Sequence, residues 1–147
     1  MRNTILIGLV CLSFLGCSKE NYSTTPKLTY QSVNTNQLQV DQIIKFNLNV
    51  TDKEGDVIDT MYIQKVSINC PAGNFSERRQ IPTFPTTTNL SANIIISYSN
   101  GINNIGYTTI ASKCDHNDSC YFRFMMKDKA NHKSDTVNSG IIVIAYK

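Results

Sequence analysis

The chain reads as an all-β protein, a single sandwich of about seven short strands. Three observations carry that expectation. Apolar and polar residues alternate over Ile44–Val50, Leu90–Tyr98 and Phe122–Met126, the pattern of strands with one face in a core and one in water. Clusters of Asn, Asp, Ser, Gly and Pro separate the runs, and these are turn formers. No stretch after the N-terminal apolar run shows the spacing of an amphipathic helix.

The first segment stands apart. Arg2 is the only charge before Lys19, and Ile5 to Leu15 is mostly apolar. A positive start, a short apolar run and a small residue before a cut mark a secretory signal. The run is short for a membrane span. Its end, Phe14-Leu15-Gly16-Cys17, resembles the lipobox of bacterial lipoproteins. The resemblance implies removal of residues 1–16, acylation of Cys17 and attachment to a membrane through lipid. Stable anchoring takes more than one acyl chain, and a lipobox Cys carries several. Ser18 replaces the Asp that would resemble an inner-membrane retention signal, so the expected location is the outer membrane, at its periplasmic face or the cell surface. Residues 17–26 then read as the lipidated Cys and a flexible polar tether, and residues 27–147 as the folded domain.

Along that domain, Lys27–Val33 predicts an edge strand, followed by a turn at Asn34–Gln37. Ile44, Phe46, Leu48 and Val50 give the clearest strand. Asp52-Lys53-Glu54-Gly55-Asp56 is a strong turn. Met61–Ile63 and Val66–Ile68 alternate out of phase with one another, which predicts a bulge or a twist near Gln64-Lys65. Residues 70–88 hold Pro71, Gly73, Pro82 and Pro85 and read as a long loop, with at most a short strand near Gln80-Ile81. Leu90–Tyr98 is the next strand, and Tyr107–Ile110 is a weak one. Phe122–Met126 and then Thr136-Val137 and Ile141–Tyr146 close the chain. The last run is apolar on both faces, as for a strand covered on both sides or by a neighbouring sheet.

Two segments, Thr51–Asp56 and Phe122–Val137, resemble those of Ig-like domains in surface lipoproteins of the Bacteroidota. Lys127–Thr136 is similar to that family's hairpin, with Asn131 where Gly is usual. Asn tolerates the left-handed conformation such a turn needs. The resemblance implies a single Ig-like β-sandwich over about residues 27–147. Fold alone does not imply function.

Removing residues 1–16 takes Arg2 and lowers the formal net charge from +3 to +2. That balance is too small to predict nucleic-acid binding. Five Cys occur. Cys11 falls in the signal and Cys17 at the lipid, which leaves Cys70, Cys114 and Cys120. Export permits disulfides. The favoured bridge is Cys114–Cys120, clipping a short loop, with Cys70–Cys120 as an alternative and the remaining pairing open.

Four constellations bear on chemistry. Asp52, Glu54, Asp56 and Asp59 crowd a tight turn and offer hard oxygen ligands for Ca²⁺, although the twelve-residue calcium loop and its distal Glu are missing. The bland alternative is a solvated turn whose acids cap backbone groups. Cys114, Asp115, His116, Asp118 and Cys120 mix zinc ligands, but only Cys70 and His132 could complete a set, and exported thiols tend to pair. The two His sit in polar loop sequence, and no G-x-S-x-G, H-E-x-x-H or phosphate-cradling loop occurs, so no enzyme is expected. Tyr62, Tyr107, Tyr121 and Phe75 could line a ligand surface.

These readings converge on a non-catalytic, lipid-anchored module that binds a protein or a surface polymer. Loops at one end of the sandwich would supply the contacts, with Asp52–Asp59, Asp115–Ser119 and Asp128–Lys133 as candidates. The alternatives are a structural subunit of an outer-membrane assembly and, further off, a small enzyme or inhibitor.

Overall fold

The computed structural model describes residues 22–147 apart from residue 86. The signal segment and Cys17 lie outside the described residues. Two sheets pack together in an all-β body. One holds three strands in the order β1-β3-β6, namely β1 (Lys27–Val33), β3 (Ile43–Asp52) and β6 (Leu90–Ser99). The other runs β2-β9-β7-β4-β5, from β2 (Gln37–Leu38) and β9 (Ile142–Ile144) through β7 (Asp118–Lys127) and β4 (Thr60–Ser67) to β5 (Phe75–Gln80). A short β8 (Val137–Asn138) also pairs with β7. β2 and β9 are parallel and the other strand pairs antiparallel. No helix among the described residues is long and apolar enough to cross a membrane.

The alternation seen in the sequence builds the core. Ile44, Phe46, Leu48 and Val50 on β3 are buried, as are Phe122, Phe124 and Met126 on β7. β3 and β6 pair without a break from Ile43↔Ser99 to Asp52↔Leu90. Phe46 from one sheet lies 4.6 Å from Phe122 and 5.3 Å from Phe124 of the other, measured between ring centres. Tyr98 of β6 joins them 5.5 Å from Phe122. Its hydroxyl donates to Glu77 Oε1 at 2.5 Å, which satisfies the polar end of a buried ring. Burial, and after it the Glu77 carboxylate, pushes the Tyr98 phenol well above its ordinary value. The folded body begins before Lys27: Pro26 is buried, and the Ser23 carbonyl accepts from the Lys53 N–H at 2.9 Å.

Several expectations need correction. The phase change at Gln64-Lys65 is absent, because β4 pairs continuously with β7 from Thr60↔Lys127 to Ser67↔Cys120. The alternation holds with Lys65 as an inward residue: it is 1% exposed and forms an ion pair with buried Asp118. Its ammonium also donates to Ser67 Oγ at 3.0 Å and the Gly73 carbonyl at 2.9 Å. A lysine at a core position looks like a broken pattern unless its buried partner is known. Gly73 ends a 3-10 turn, Pro71–Gly73, that lies over this pair. A Cβ there would meet Asp118 Oδ2 at 2.6 Å and Lys65 Nζ at 2.9 Å, so the close approach requires glycine. The segment read as a loop contains the six-residue β5, which pairs with β4 from Thr60↔Gln80 to Lys65↔Phe75. The last run is covered on one face only: Ile142 and Ile144 are buried, while Ile141 is exposed.

The disulfide joins Cys70 to Cys114, not Cys114 to Cys120. Cys120 is free and buried. It occupies an inward position of β7, opposite Ser67. Beyond Ser67 the chain stays beside β7, with the Ile68 N–H donating to the Ser119 carbonyl at 2.7 Å. This path leads Cys70 to the segment before β7, where Cys114 waits. Burial pushes the Cys120 thiol up to about 12, with the Lys65 ammonium working against it.

Candidate functional site

At one end of the sandwich the chain leaves β3 through Asp52 and turns at Gly55. The Gly55 N–H donates to Asp52 Oδ2 at 2.6 Å, and Gly55 takes a φ of 74°. A side chain there would be doubly blocked, since its Cβ would sit 2.3 Å from the Thr87 carbonyl oxygen. At the same end β7 runs into Asp128 and a turn closed by Asn131, whose φ is 69°. The residue that departs from the usual hairpin glycine thus adopts the left-handed conformation the turn needs. The Lys129 N–H donates to the Asp56 carbonyl at 3.0 Å and ties the two turns together.

Their side chains meet. Asp52, Asp56 and Asp128 each bring one carboxylate oxygen within 4.8 Å of the others. Asp52 and Asp128 are fully buried and Asp56 is partly so. Asp128 is fixed by His132, whose backbone N–H donates to Oδ1 at 2.7 Å and whose Nδ1 lies 3.0 Å from Oδ2. Asp52 Oδ1 is buried with no hydrogen-bond partner. Burial raises Asp52 above the usual carboxylate range; the Gly55 N–H opposes this, and the charge of Asp56 adds to the rise.

The expected acidic set is therefore corrected in two members. Glu54 is exposed on the turn. Asp59 is drawn away into an ion pair with Lys127 at 2.9 Å, which holds its carboxyl below the usual range. Asp128 replaces them. It lies in Phe122–Val137, one of the two segments on which the Ig-like resemblance rested, though no local spacing linked it to Asp52.

Of the three candidate loops, Asp52–Asp59 and Asp128–Lys133 share this end. Asp115–Ser119 lies at the other end, because it leads into β7 while Asp128 follows it. There His116 Nδ1 lies 2.9 Å from Asp115 Oδ1, and Nε2 lies 3.2 Å from the Asn69 carbonyl. The bridge consumes the Cys70 and Cys114 thiols that a zinc set would need.

A third feature lies on the outer face of the β5-β4-β7 sheet. A concavity of about 420 Å³ is lined by Tyr62, Gln64, Arg78, Arg123, Met125 and Thr136, among others. The Arg78 guanidinium lies 5.2 Å from the centre of the Tyr62 ring, a cation–π distance. Arg123 donates to Gln64 Oε1 at 3.2 Å. Among the described residues neither guanidinium is paired with a carboxylate. Of the four aromatics singled out in the sequence, Tyr62 lines this groove. Phe75 packs inward, 5.7 Å from Tyr98. Tyr121 is half-buried, and Tyr107 lies in the loop after β6. Arg78 was missed because β5, Phe-Ser-Glu-Arg-Arg-Gln, has no apolar alternation to announce a strand, and Arg123, on the legible strand β7, because nothing local to it placed Arg78 and Tyr62 beside it.

No known protein-family profile matches the chain, and no curated protein matches it. Among solved structures it is similar to the crystal structure of Spo0M, a sporulation control protein from Bacillus subtilis, at 7% identity and a TM-score of 0.46. The match covers 84% of this chain and 50% of that one, so the chain spans about half the length of that neighbour.

Proposed function

We propose that the chain is a lipid-anchored outer-membrane lipoprotein, held through Cys17, whose Ig-like β-sandwich binds an acidic surface polysaccharide. The observation that carries this reading is the groove on the β5-β4-β7 face. Arg78 and Arg123 offer unpaired guanidiniums that can take a carboxylate in a two-point, charge-assisted contact. Tyr62 offers a ring face for a sugar. The groove is a surface of a rigid sheet, which suits binding along a polymer. No catalytic role is assigned to it.

One experiment tests anchor and groove together. Membranes from cells making the wild-type chain are expected to retain labelled polygalacturonate and not neutral dextran. The Cys17→Ser chain should leave the membrane fraction. The Arg78→Ala/Arg123→Ala chain should stay on the membrane and bind at least about tenfold more weakly, the loss expected from one or two charge-assisted hydrogen bonds. Equal retention of acidic and neutral polymer, or no effect of the double substitution, refutes the groove.

A second reading, a subunit that docks into an envelope assembly, is supported by the opposite end of β3. There Ile102 and Ile105 are 86% and 94% exposed. The loop that presents them is held by the Asn103 and Asn104 amides, each 2.9 Å from an oxygen of Asp41. This apolar tip lies at the start of β3, roughly 30 Å along the strand from Lys53, where the chain arrives from the tether. That reading takes precedence if the double arginine variant behaves as wild type.

A further inference from the structure

We infer that Asp52, Asp56 and Asp128 form a calcium site at the tether end of the sandwich. Three carboxylates converge there within 4.8 Å. No Lys or Arg is paired with any of them among the described residues. Clustered acids alone are common on protein surfaces, and they would not carry the assignment. The second observation does: Asp52 is fully buried, one of its oxygens is held by the Gly55 N–H, and the other has no hydrogen-bond partner among the described residues. A buried carboxylate oxygen left bare is costly. A cation among the three acids removes both that cost and their mutual repulsion.

The chemistry selects the ion. The ligands are hard oxygens, which suit calcium or magnesium and not a soft metal. His132 is directed at Asp128 and so orients a ligand. The three acids sit on two turns, Asp52 and Asp56 on the one after β3 and Asp128 on the one after β7, at irregular positions. Calcium takes six to eight oxygens at about 2.3–2.6 Å in flexible geometry, whereas magnesium demands a near-ideal octahedron at about 2.0–2.1 Å. Water and backbone oxygens would complete the set.

A calcium ion here would fasten the turn after β3 to the turn after β7. The Ser23 carbonyl bonds to the Lys53 N–H between Asp52 and Glu54, so the ion would also steady the place where the tether meets the body.

The test uses the full-length protein in detergent. Its melting is followed by circular dichroism in EDTA, in about 5 mM CaCl₂ and in about 5 mM MgCl₂, concentrations above the ~10⁻⁴–10⁻³ M range of extracellular calcium modules. Calcium is expected to raise the melting temperature by about 5 °C or more. Asp56→Asn, a change on a half-buried turn, should melt at least as high as wild type in EDTA and lose most of the calcium response. Calorimetric titration of the wild-type protein with CaCl₂ gives a reading that needs no variant, and a saturable heat of about one ion per chain supports the site. Identical melting in EDTA and calcium, an equal response to magnesium, no saturable heat, or a full response in Asp56→Asn overturns the assignment.

Discussion

Reducing the Cys70–Cys114 bridge should destabilise the domain by about 4 kcal/mol at 25 °C. The bridge spans 44 residues. In the chain-entropy treatment a closed loop of that length restricts the unfolded chain by about 13 cal/mol/K. For a domain of this size about 4 kcal/mol corresponds to a melting temperature lower by roughly 10–15 °C. The structure adds a local reason for the loss: Cys70 immediately precedes the 3-10 turn that lies over Lys65 and Asp118, so releasing it loosens the cover of a buried ion pair. Melting with and without reductant measures the size of the effect. Labelling identifies the pairing. With no reductant present, iodoacetamide in guanidinium should modify Cys120 and leave Cys70 and Cys114 blocked. In the native protein Cys120 should resist, because it is buried and its thiol is pushed up to about 12. Cleavage before Asp115 and Asp118, together with trypsin, should leave the Cys70 and Cys114 peptides linked. A label on Cys70, a linked Cys114–Cys120 peptide, or a shift under about 3 °C on reduction would refute the reasoning.

Two further outcomes follow from the same end of the molecule. Removing one partner of the buried pair, by Lys65→Met or Asp118→Ala, should cost about 3–5 kcal/mol in urea denaturation, while Lys65→Met with Asp118→Leu should recover most of it, since the lone buried charge is the main penalty; single variants within about 1 kcal/mol of wild type would contradict this. The Asp115 carboxylate, and after it the Asn69 carbonyl, raises His116 above its ordinary 6.5. Its contribution to stability is therefore complete below that unfolded value and fades as pH rises through the higher folded one. NMR titration should place the His116 midpoint above 6.5 and Asp115→Asn should lower it; a midpoint below 6.5 in the wild-type protein would reverse the sign.

The fold was legible where one residue type dominated one face. β3 and β7 alternate so cleanly that their inward and outward faces follow from the period of two. Legibility failed where burial depends on a partner distant in sequence. Lys65 lies 53 residues from Asp118, and read alone it breaks β4 into two phases. β5 failed for a different reason: it is an edge strand whose residues are half-buried or exposed in turn, so no apolar pattern marks it, yet it carries Arg78. The cysteine pairing was a choice between short separation and topology. A short separation favoured Cys114–Cys120, but Cys120 belongs to an inward-facing row of β7, and the chain that continues from β7's partner strand carries Cys70 to Cys114. The acidic site was half legible. Asp52 and Asp56 announced themselves on one turn, whereas Asp128 needed the packing of the two sheets to bring the end of β7 beside the end of β3.

The two ends of β7 treat the same problem in opposite ways, and the contrast favours the cation site. Asp118 begins the strand and Asp128 follows it, and both are fully buried. At the first end, Asp118 has an unpartnered oxygen, but its charge is balanced by Lys65 and its other oxygen accepts from Lys65 and Ser67. At the second end, the carboxylates of Asp52 and Asp56 join Asp128 with no built-in ammonium among the described residues, and Asp59, which could have crowded them further, is held instead by Lys127. If an uncompensated buried carboxylate charge were simply tolerated by this fold, the first end would not need a lysine at a core position, where its desolvation is expensive. The chain supplies a cation of its own where no solute can reach. It leaves three convergent acids unbalanced beside a half-exposed turn, where a solute can.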